Sequence, residues 1–141
     1  MIFLLRTGGY RIPAAKAMDH VAGFTVAHDV SARDWQLKKN AGQWLLGKTF
    51  NTFSPIGPAI VTPDDPGLGD VHNQPISLTV NGVQMQGSNT DQLIFKTPRI
   101  VEWCSKFFTL EAGDLIFTGT PYVGILLLRY NIYRGPCIFP S

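Results

Sequence analysis

The sequence is short of charge and of sulfur, and it lacks any long apolar run. Only 16% of its 141 residues are charged, and 12 Lys and Arg against 10 Asp and Glu leave a formal charge of +2. The basic residues are scattered, so there is no electrostatic footprint for nucleic acid. No apolar stretch is long enough to span a bilayer, which argues against a membrane protein. The opening residues 1–9, MIFLLRTGG, offer few apolar positions before Arg6 and no charged region ahead of them. They fit neither a signal peptide nor the Arg- and Ser-rich pattern of a mitochondrial presequence. The two cysteines, Cys104 and Cys137, are far apart and lack CxxC spacing. They read as free thiols in a reducing compartment, too few to build a zinc site. No internal repeat is present.

What is there suits a single folded domain with a real core, since 45% of the residues are hydrophobic. Residues 1–5 read as a strand that turns through Gly8-Gly9. PAAKAMDH, residues 13–20, reads as a short helix with Pro13 in its first turn. VAGFTVAHDV, residues 21–30, is β-branched and almost wholly apolar, the pattern of a strand buried on both faces. Ser31 is the expected N-cap of a short helix, ARDWQLKK, with acid early and base late. GPAIVTPDDPGLGD, residues 57–70, ends a strand in a loop. ISLTVNGVQMQGSN, residues 76–89, places Asn81-Gly82 between alternating strands, the preferred centre of a type I′ hairpin. TPRIVEWCSKFF, residues 97–108, carries a helical stripe around Trp103 that reads as core. EAGDLIFTGTP, residues 111–121, is a turn, a buried strand and a polar end. The class is a β-rich α+β fold.

Polar residues gather where apolar strands end: Asp29, Arg33 and Gln36 in VAHDVSARDWQ, Lys48 and Thr52 in LLGKTFNTF, Thr118 and Thr120 in IFTGTP. Loops held by a rigid sheet are where sites are built. A carboxylate at the end of a buried strand is costly unless it is paired or meets a cation. Taken singly, Asp29 reads as a salt bridge to Arg33 or a helix cap, Lys48 as a solvated turn residue, and GTP as an ordinary turn. His20, His28 and His72 are too dispersed to form a metal triad. Taken together, the residues point to Mg²⁺-assisted chemistry on a small oxo acid. A carboxylate with further oxygens holds a hard cation, a lysine stabilises an enolate or oxyanion, and arginine with glutamine orients a carboxylate.

The segments GFTVAHDVSARDWQ, QWLLGKTFNTFSPIGPAIVT, ISLTVNG followed by QGSNTDQLIFKTPRIVEW, and GDLIFTGTP occur in this order. In them the chain resembles the C-terminal catalytic domain of the fumarylacetoacetate hydrolase family, in its mitochondrial branch described as oxaloacetate tautomerases. The resemblance spans about residues 4–121. It implies a mixed-sheet β-roll, incomplete here, usually dimeric, with Mg²⁺ (or Ca²⁺ or Mn²⁺) in a cleft and a mitochondrial location. Asp29 matches the metal-binding aspartate and Lys48 the catalytic lysine beside the metal. Thr52 matches a threonine near the metal, while Arg33, Gln36 and Thr120 match substrate-contacting positions.

The family pattern also has two glutamates in an ExE arrangement just upstream of the position of Met1, and an upstream lid. No Glu precedes Glu102, so Asp29 supplies one carboxylate of three. The expectation is therefore a chain truncated at its N-terminus, with weak cation binding and impaired activity. Residues 122–141 match nothing in the family pattern and read as a divergent tail to the partial domain of residues 1–121. The implied reaction is keto–enol isomerisation of oxaloacetate. The alternatives are hydrolysis or decarboxylation of an acylpyruvate-like acid, and an inactive fragment that serves as a dimerising partner.

Overall fold

The computed structural model describes residues 1–121, and the expected divergent tail, 122–141, lies outside the described residues. Within them are the strands β1 (Ile2–Leu5), β2 (Val21–Ala27), β3 (Ile56–Val61), β4 (Pro75–Val80), β5 (Val83–Asn89) and β6 (Leu115–Phe117), with one α-helix, α1 (Thr97–Phe107). One sheet has the order β3-β2-β1-β6, and β4 with β5 forms a separate hairpin. The class is α+β and β-rich, as the sequence implies, and every pairing between these strands is antiparallel.

β1 is apolar on both faces because both are covered: Ile2, Phe3 and Leu5 are buried. It pairs with β2 along one edge and with β6 along the other. Phe3 lies opposite Phe24, with ring centroids 6.3 Å apart. On β2, Val21, Phe24 and Thr25 are buried, but Val26 is exposed. The strand is thus enclosed over most of its length and emerges at its C-terminal end. The core gathers Phe3, Leu5, Val21 and Phe24 with Ala17, Val71, Val101 and Leu110. Ala17 belongs to a 3-10 helix, Ala14–His20, that follows Pro13 where a short helix was expected.

α1 starts one residue before Pro98 and buries Thr97, Val101 and Ser105. These lie four residues apart, on one face of a 3.6-residue helix. The structure corrects the reading of Trp103 as core. Trp103 is two residues from Val101, about 200° around the helix, and it is 54% exposed. It packs edge-on against Phe107 at 5.3 Å, with the Lys106 ammonium over its ring. The apolar stripe is wider than the face the helix buries. Ser105 instead ties the helix to the chain before it, accepting from the Ile12 N–H at 2.9 Å.

The hairpin turn is as expected, with φ of 50° at Asn81 and 79° at Gly82, both positive as type I′ requires. Gly8 is demanded by a close approach rather than by φ. A Cβ there would lie 2.2 Å from the Leu110 carbonyl oxygen, where residues 8–9 run against Leu110.

His72 completes the start of α1. Its Nε2 accepts from the Thr97 N–H at 3.1 Å and lies 3.1 Å from the Thr97 hydroxyl. Burial pushes the imidazole below its ordinary value of 6.5, opposed by nearby Asp70 and reinforced by Lys96. Protonating Nε2 would remove the acceptor and place a cation at the positive end of a helix. The unfolded chain then binds the proton more readily than the folded one. This contribution to stability is complete above pH 6.5 and is lost as pH falls through the lower folded value. Urea unfolding should show stability declining below pH 6.5, with a shallower decline in His72→Gln. Identical pH profiles for the two proteins would contradict this role.

Candidate active site

β2 and β6 both run antiparallel to β1, so they point the same way. β3 runs antiparallel to β2 and starts with Ile56 opposite Ala27. The segment after β2, the approach to β3 and the segment after β6 therefore meet at one end of the sheet. Every site residue expected from sequence lies in these three segments. Met1 closes the same end, its carbonyl accepting from the Thr118 N–H at 3.2 Å and the Thr118 hydroxyl at 3.0 Å.

The centre of this end is Lys48. Its Nζ donates to Asp29 Oδ2 at 2.6 Å and to Ser31 Oγ at 2.9 Å. The Asp29 and Lys48 side chains are 46% and 27% exposed. An ion pair this open to water stabilises a fold by at most about 1 kcal/mol. Stability is therefore a weak reason for the pair. His28, half-buried beside Asp29, is held below the ordinary imidazole range by burial, with the Asp29 charge opposing.

Two readings of this segment are corrected. Asp29 is paired with Lys48 and not with Arg33, whose Nη1 donates instead to Gln36 Oε1 at 2.5 Å. Ser31 is not an N-cap, because its hydroxyl donates to the Asp29 carbonyl and accepts from Lys48. The expected short helix is a π-turn, Trp35–Lys39, preceded by Asp34 without a side-chain cap. Its early acid and late base do meet, as Asp34 and Lys38 at 3.0 Å. Sequence reasoning missed Ser31 as a partner of Lys48. Its spacing of two residues from Asp29 was the available signal, and cap preference concealed it.

Backbone contact sets the distance between the two arms. The Ala32 N–H donates to the Gly47 carbonyl at 2.8 Å. A Cβ on Gly47 would stand 2.7 Å from the Gln36 Cβ and 2.9 Å from its Cα and N. Only a bare Cα lets the chain before Lys48 lie against Gln36, which brings Nζ to Asp29. Trp35, Phe50 and Phe53 form an edge-to-face aromatic run beside this contact. Thr52, in the same loop, has φ of 70° and Ser54 has 59°. Such a φ costs a β-branched residue of order 1–3 kcal/mol, a strain seen often at functional sites.

Thr120 sits apart from the lysine. Its hydroxyl accepts from Gln86 Nε2 of β5 at 3.0 Å. With Ser88, Asn89, Phe95 and Thr118 it lines an open groove of about 700 Å³ that neither Asp29 nor Lys48 lines. A smaller cleft of about 270 Å³, lined by Arg6, Val21 and Asp64 among others, contains none of these residues. The structure thus brings Asp29, Ser31 and Lys48 into one cluster and Arg33 with Gln36 into a second, and puts Thr120 in a groove of its own.

Among the described residues no three His, Cys, Asp or Glu side chains converge. Asp29 is the carboxylate of the lysine cluster, and its Oδ2 is engaged by Lys48. A hard divalent cation takes six or more oxygens, drawn from carboxylates, carbonyls and water. The described residues do not by themselves complete such a site.

The model of the fumarylacetoacetate hydrolase C-terminal domain matches residues 3–131, and the chain belongs to that family. It is 52% identical over 139 residues to the mitochondrial oxaloacetate tautomerase fahd2 of Xenopus laevis, covering 99% of this chain and 41% of that protein. It is 53% identical over 131 residues to the mitochondrial oxaloacetate tautomerase FAHD2A of Homo sapiens, covering 93% and 39%. The chain therefore spans about two-fifths of the length of these relatives. Among solved structures it resembles 5-carboxymethyl-2-hydroxymuconate delta-isomerase from Mycobacterium smegmatis, with TM-score 0.76, 41% identity, and coverage of 87% and 47%. It also resembles fumarylpyruvate hydrolase from Pseudomonas aeruginosa in complex with Mn²⁺ and pyruvate, with TM-score 0.76, 38% identity, and coverage of 85% and 51%.

Two measurements check this geometry. Gly47→Ala should cost about 1–3 kcal/mol in denaturant unfolding, because the added methyl meets backbone atoms. No loss would mean that residues 36 and 47 are not in contact. Calorimetric titration with Mg²⁺ or Mn²⁺ should give weak binding, little altered by Asp29→Ala. Tight one-to-one binding that Asp29→Ala abolishes would show a complete site.

Proposed function

We propose that this chain carries the substrate-handling part of a keto–enol isomerase for oxaloacetate or a close 2-oxo acid. The observation that carries the reading is the Lys48 ammonium, positioned by Asp29 and Ser31 at the exposed end of the sheet. Tautomerisation moves a proton between the carbon beside a carbonyl and the carbonyl oxygen. Negative charge gathers on that oxygen on the way, and a fixed ammonium lowers the barrier by meeting it. Asp29 and Ser31 restrict the lysine before substrate arrives, so little reorientation is needed at the moment of reaction. Arg33 is the carboxylate anchor, since guanidinium matches a carboxylate edge to edge. Thr120 offers a hydroxyl from the neighbouring groove, and Thr52 belongs to the loop behind Lys48.

The names of the tautomerase relatives support the reaction and a mitochondrial location. The Mn²⁺ and pyruvate in the Pseudomonas hydrolase support a small oxo acid and a divalent cation, Mg²⁺, Mn²⁺ or Ca²⁺. The described residues do not complete the cation's ligand set, and no step above depends on it. The proposal includes a homodimer, to which the exposed Trp103–Phe107 face offers apolar surface. Hydrolysis of an acylpyruvate-like acid asks for an activated water as well. No feature among the described residues favours it over proton transfer.

The test is ketonisation of enol-oxaloacetate, followed as loss of enol absorbance, with and without Mg²⁺. The chain should accelerate it over buffer, and Lys48→Met should lower kcat/KM by about 100-fold while costing at most about 1 kcal/mol of stability. A wild-type rate equal to buffer, or a Lys48→Met variant as fast as wild type, would overturn the proposal.

A further inference from the structure

Thr118 and Thr120 both line the open groove, and they use their hydroxyls in opposite ways. A hydroxyl has one proton to donate and two lone pairs with which to accept. Thr118 spends its proton on the Met1 carbonyl oxygen, at 3.0 Å. Thr120 does the reverse. Its oxygen accepts from Gln86 Nε2 at 3.0 Å, and no acceptor among the described residues takes its proton. Gly119 lies between them with φ of 91°, where the chain turns from one partner to the other.

The bond from Gln86 spans 34 residues, from β5 to the segment after β6. Gln86 is half-buried and Thr120 exposed, so water can serve either group and the bond adds little to stability. Its consequence is directional. An amide N–H has only a proton to give, so placing it on the Thr120 oxygen leaves the hydroxyl proton to point elsewhere. Accepting from that N–H also polarises the hydroxyl and strengthens its own donation. The strand bears on this placement. Gln86 lies opposite Leu78 and Gln84 opposite Thr79, which leaves Met85 without a partner. An extra residue of this kind is a β-bulge, which re-aims the side chains beside it.

We propose that Gln86 is a positioning residue for Thr120. It occupies the acceptor side of the hydroxyl and so commits the proton to a carboxylate oxygen in the groove. A groove arranged in this way favours an acid over an amine of the same size. The proposal rests on the reading of Thr120 as a ligand contact, and it supplies the direction of that hydrogen bond and the residue that sets it.

The experiment uses the full chain and compares wild type, Gln86→Met, Gln86→Glu, Thr120→Val, and both Gln86 variants in the Thr120→Val background. The readouts are the thermal midpoint, the affinity for malonate (a dicarboxylate probe with no oxo group), and KM and kcat for enol-oxaloacetate. Gln86→Met keeps the length of the side chain and removes its N–H. It should melt within about 2 °C of wild type. It should bind malonate about 3-fold more weakly and raise KM in proportion, with a smaller change in kcat. Gln86→Glu turns the bond round, because a carboxylate accepts the Thr120 proton. It should weaken malonate binding by about 10-fold, at least as much as Thr120→Val does. In the Thr120→Val background Gln86→Met should have no effect, and Gln86→Glu only the smaller effect of its charge.

Equal malonate affinity in wild type and Gln86→Met overturns the proposal. So does a Gln86→Glu penalty as large in the Thr120→Val background as in wild type, since charge would then be acting through space. The absence of malonate binding to wild type overturns it too. Malonate binding that depends on Gln86 through Thr120, in a chain without isomerase activity, upholds the proposal and removes the proposed reaction. An active chain indifferent to Gln86→Met does the reverse.

Discussion

β1 is hydrogen-bonded along both of its edges, and the arrangement of the site end follows from that. Four residues fix the relative direction of β2 and β6, and so decide which chain ends lie together. Because both neighbours are antiparallel to β1, both deliver their C-terminal ends to the same place. The loop that precedes β3 is drawn in as well by its antiparallel pairing with β2. Ile2 and Phe3, fully buried, hold the arrangement through the core. Disturbing the strand would alter the site without touching any residue in it.

Two kinds of force act at that end, and magnitude separates them. The Asp29–Lys48 pair lies too near water to stabilise the fold appreciably. The Gly47–Gln36 approach is a contact between backbone and side chain at distances where a methyl group does not fit. The first orients charge and the second sets position. Gln36 takes part in both, as the surface against which Gly47 rests and as the acceptor that holds Arg33. The strained φ at Thr52 follows directly after the segment these contacts fix, as the chain turns back toward β3.

The fold was legible where local chemistry and tertiary packing agreed. The Asn81-Gly82 turn is specified by backbone sterics alone, and the strand read over residues 21–30 by continuous apolar character, although it ends at Ala27. Legibility failed where partners distant in sequence decide the outcome. Ser31 has the composition of a cap, but a lysine 17 residues away takes its hydroxyl. Trp103 lies on an apolar stripe wider than the buried face of its helix, and no periodicity says which part is buried. The site residues were findable because they cluster at strand ends. Their pairing was not, since Asp29 with Lys48 and Arg33 with Gln36 depend on the crossing of two loops at Gly47.

The β4–β5 hairpin stands outside the main sheet. It is anchored chiefly through buried Thr90, whose hydroxyl donates to the Val71 carbonyl and accepts from the Gln74 N–H. A two-stranded unit of this kind is marginal by itself, so its amides should exchange sooner than those of the four-stranded sheet. Gln86 on β5 also holds the Thr120 hydroxyl. Local opening of the hairpin therefore releases one side of the groove while the lysine cluster stays in place. Hydrogen exchange would see the groove inherit the lifetime of its less protected side.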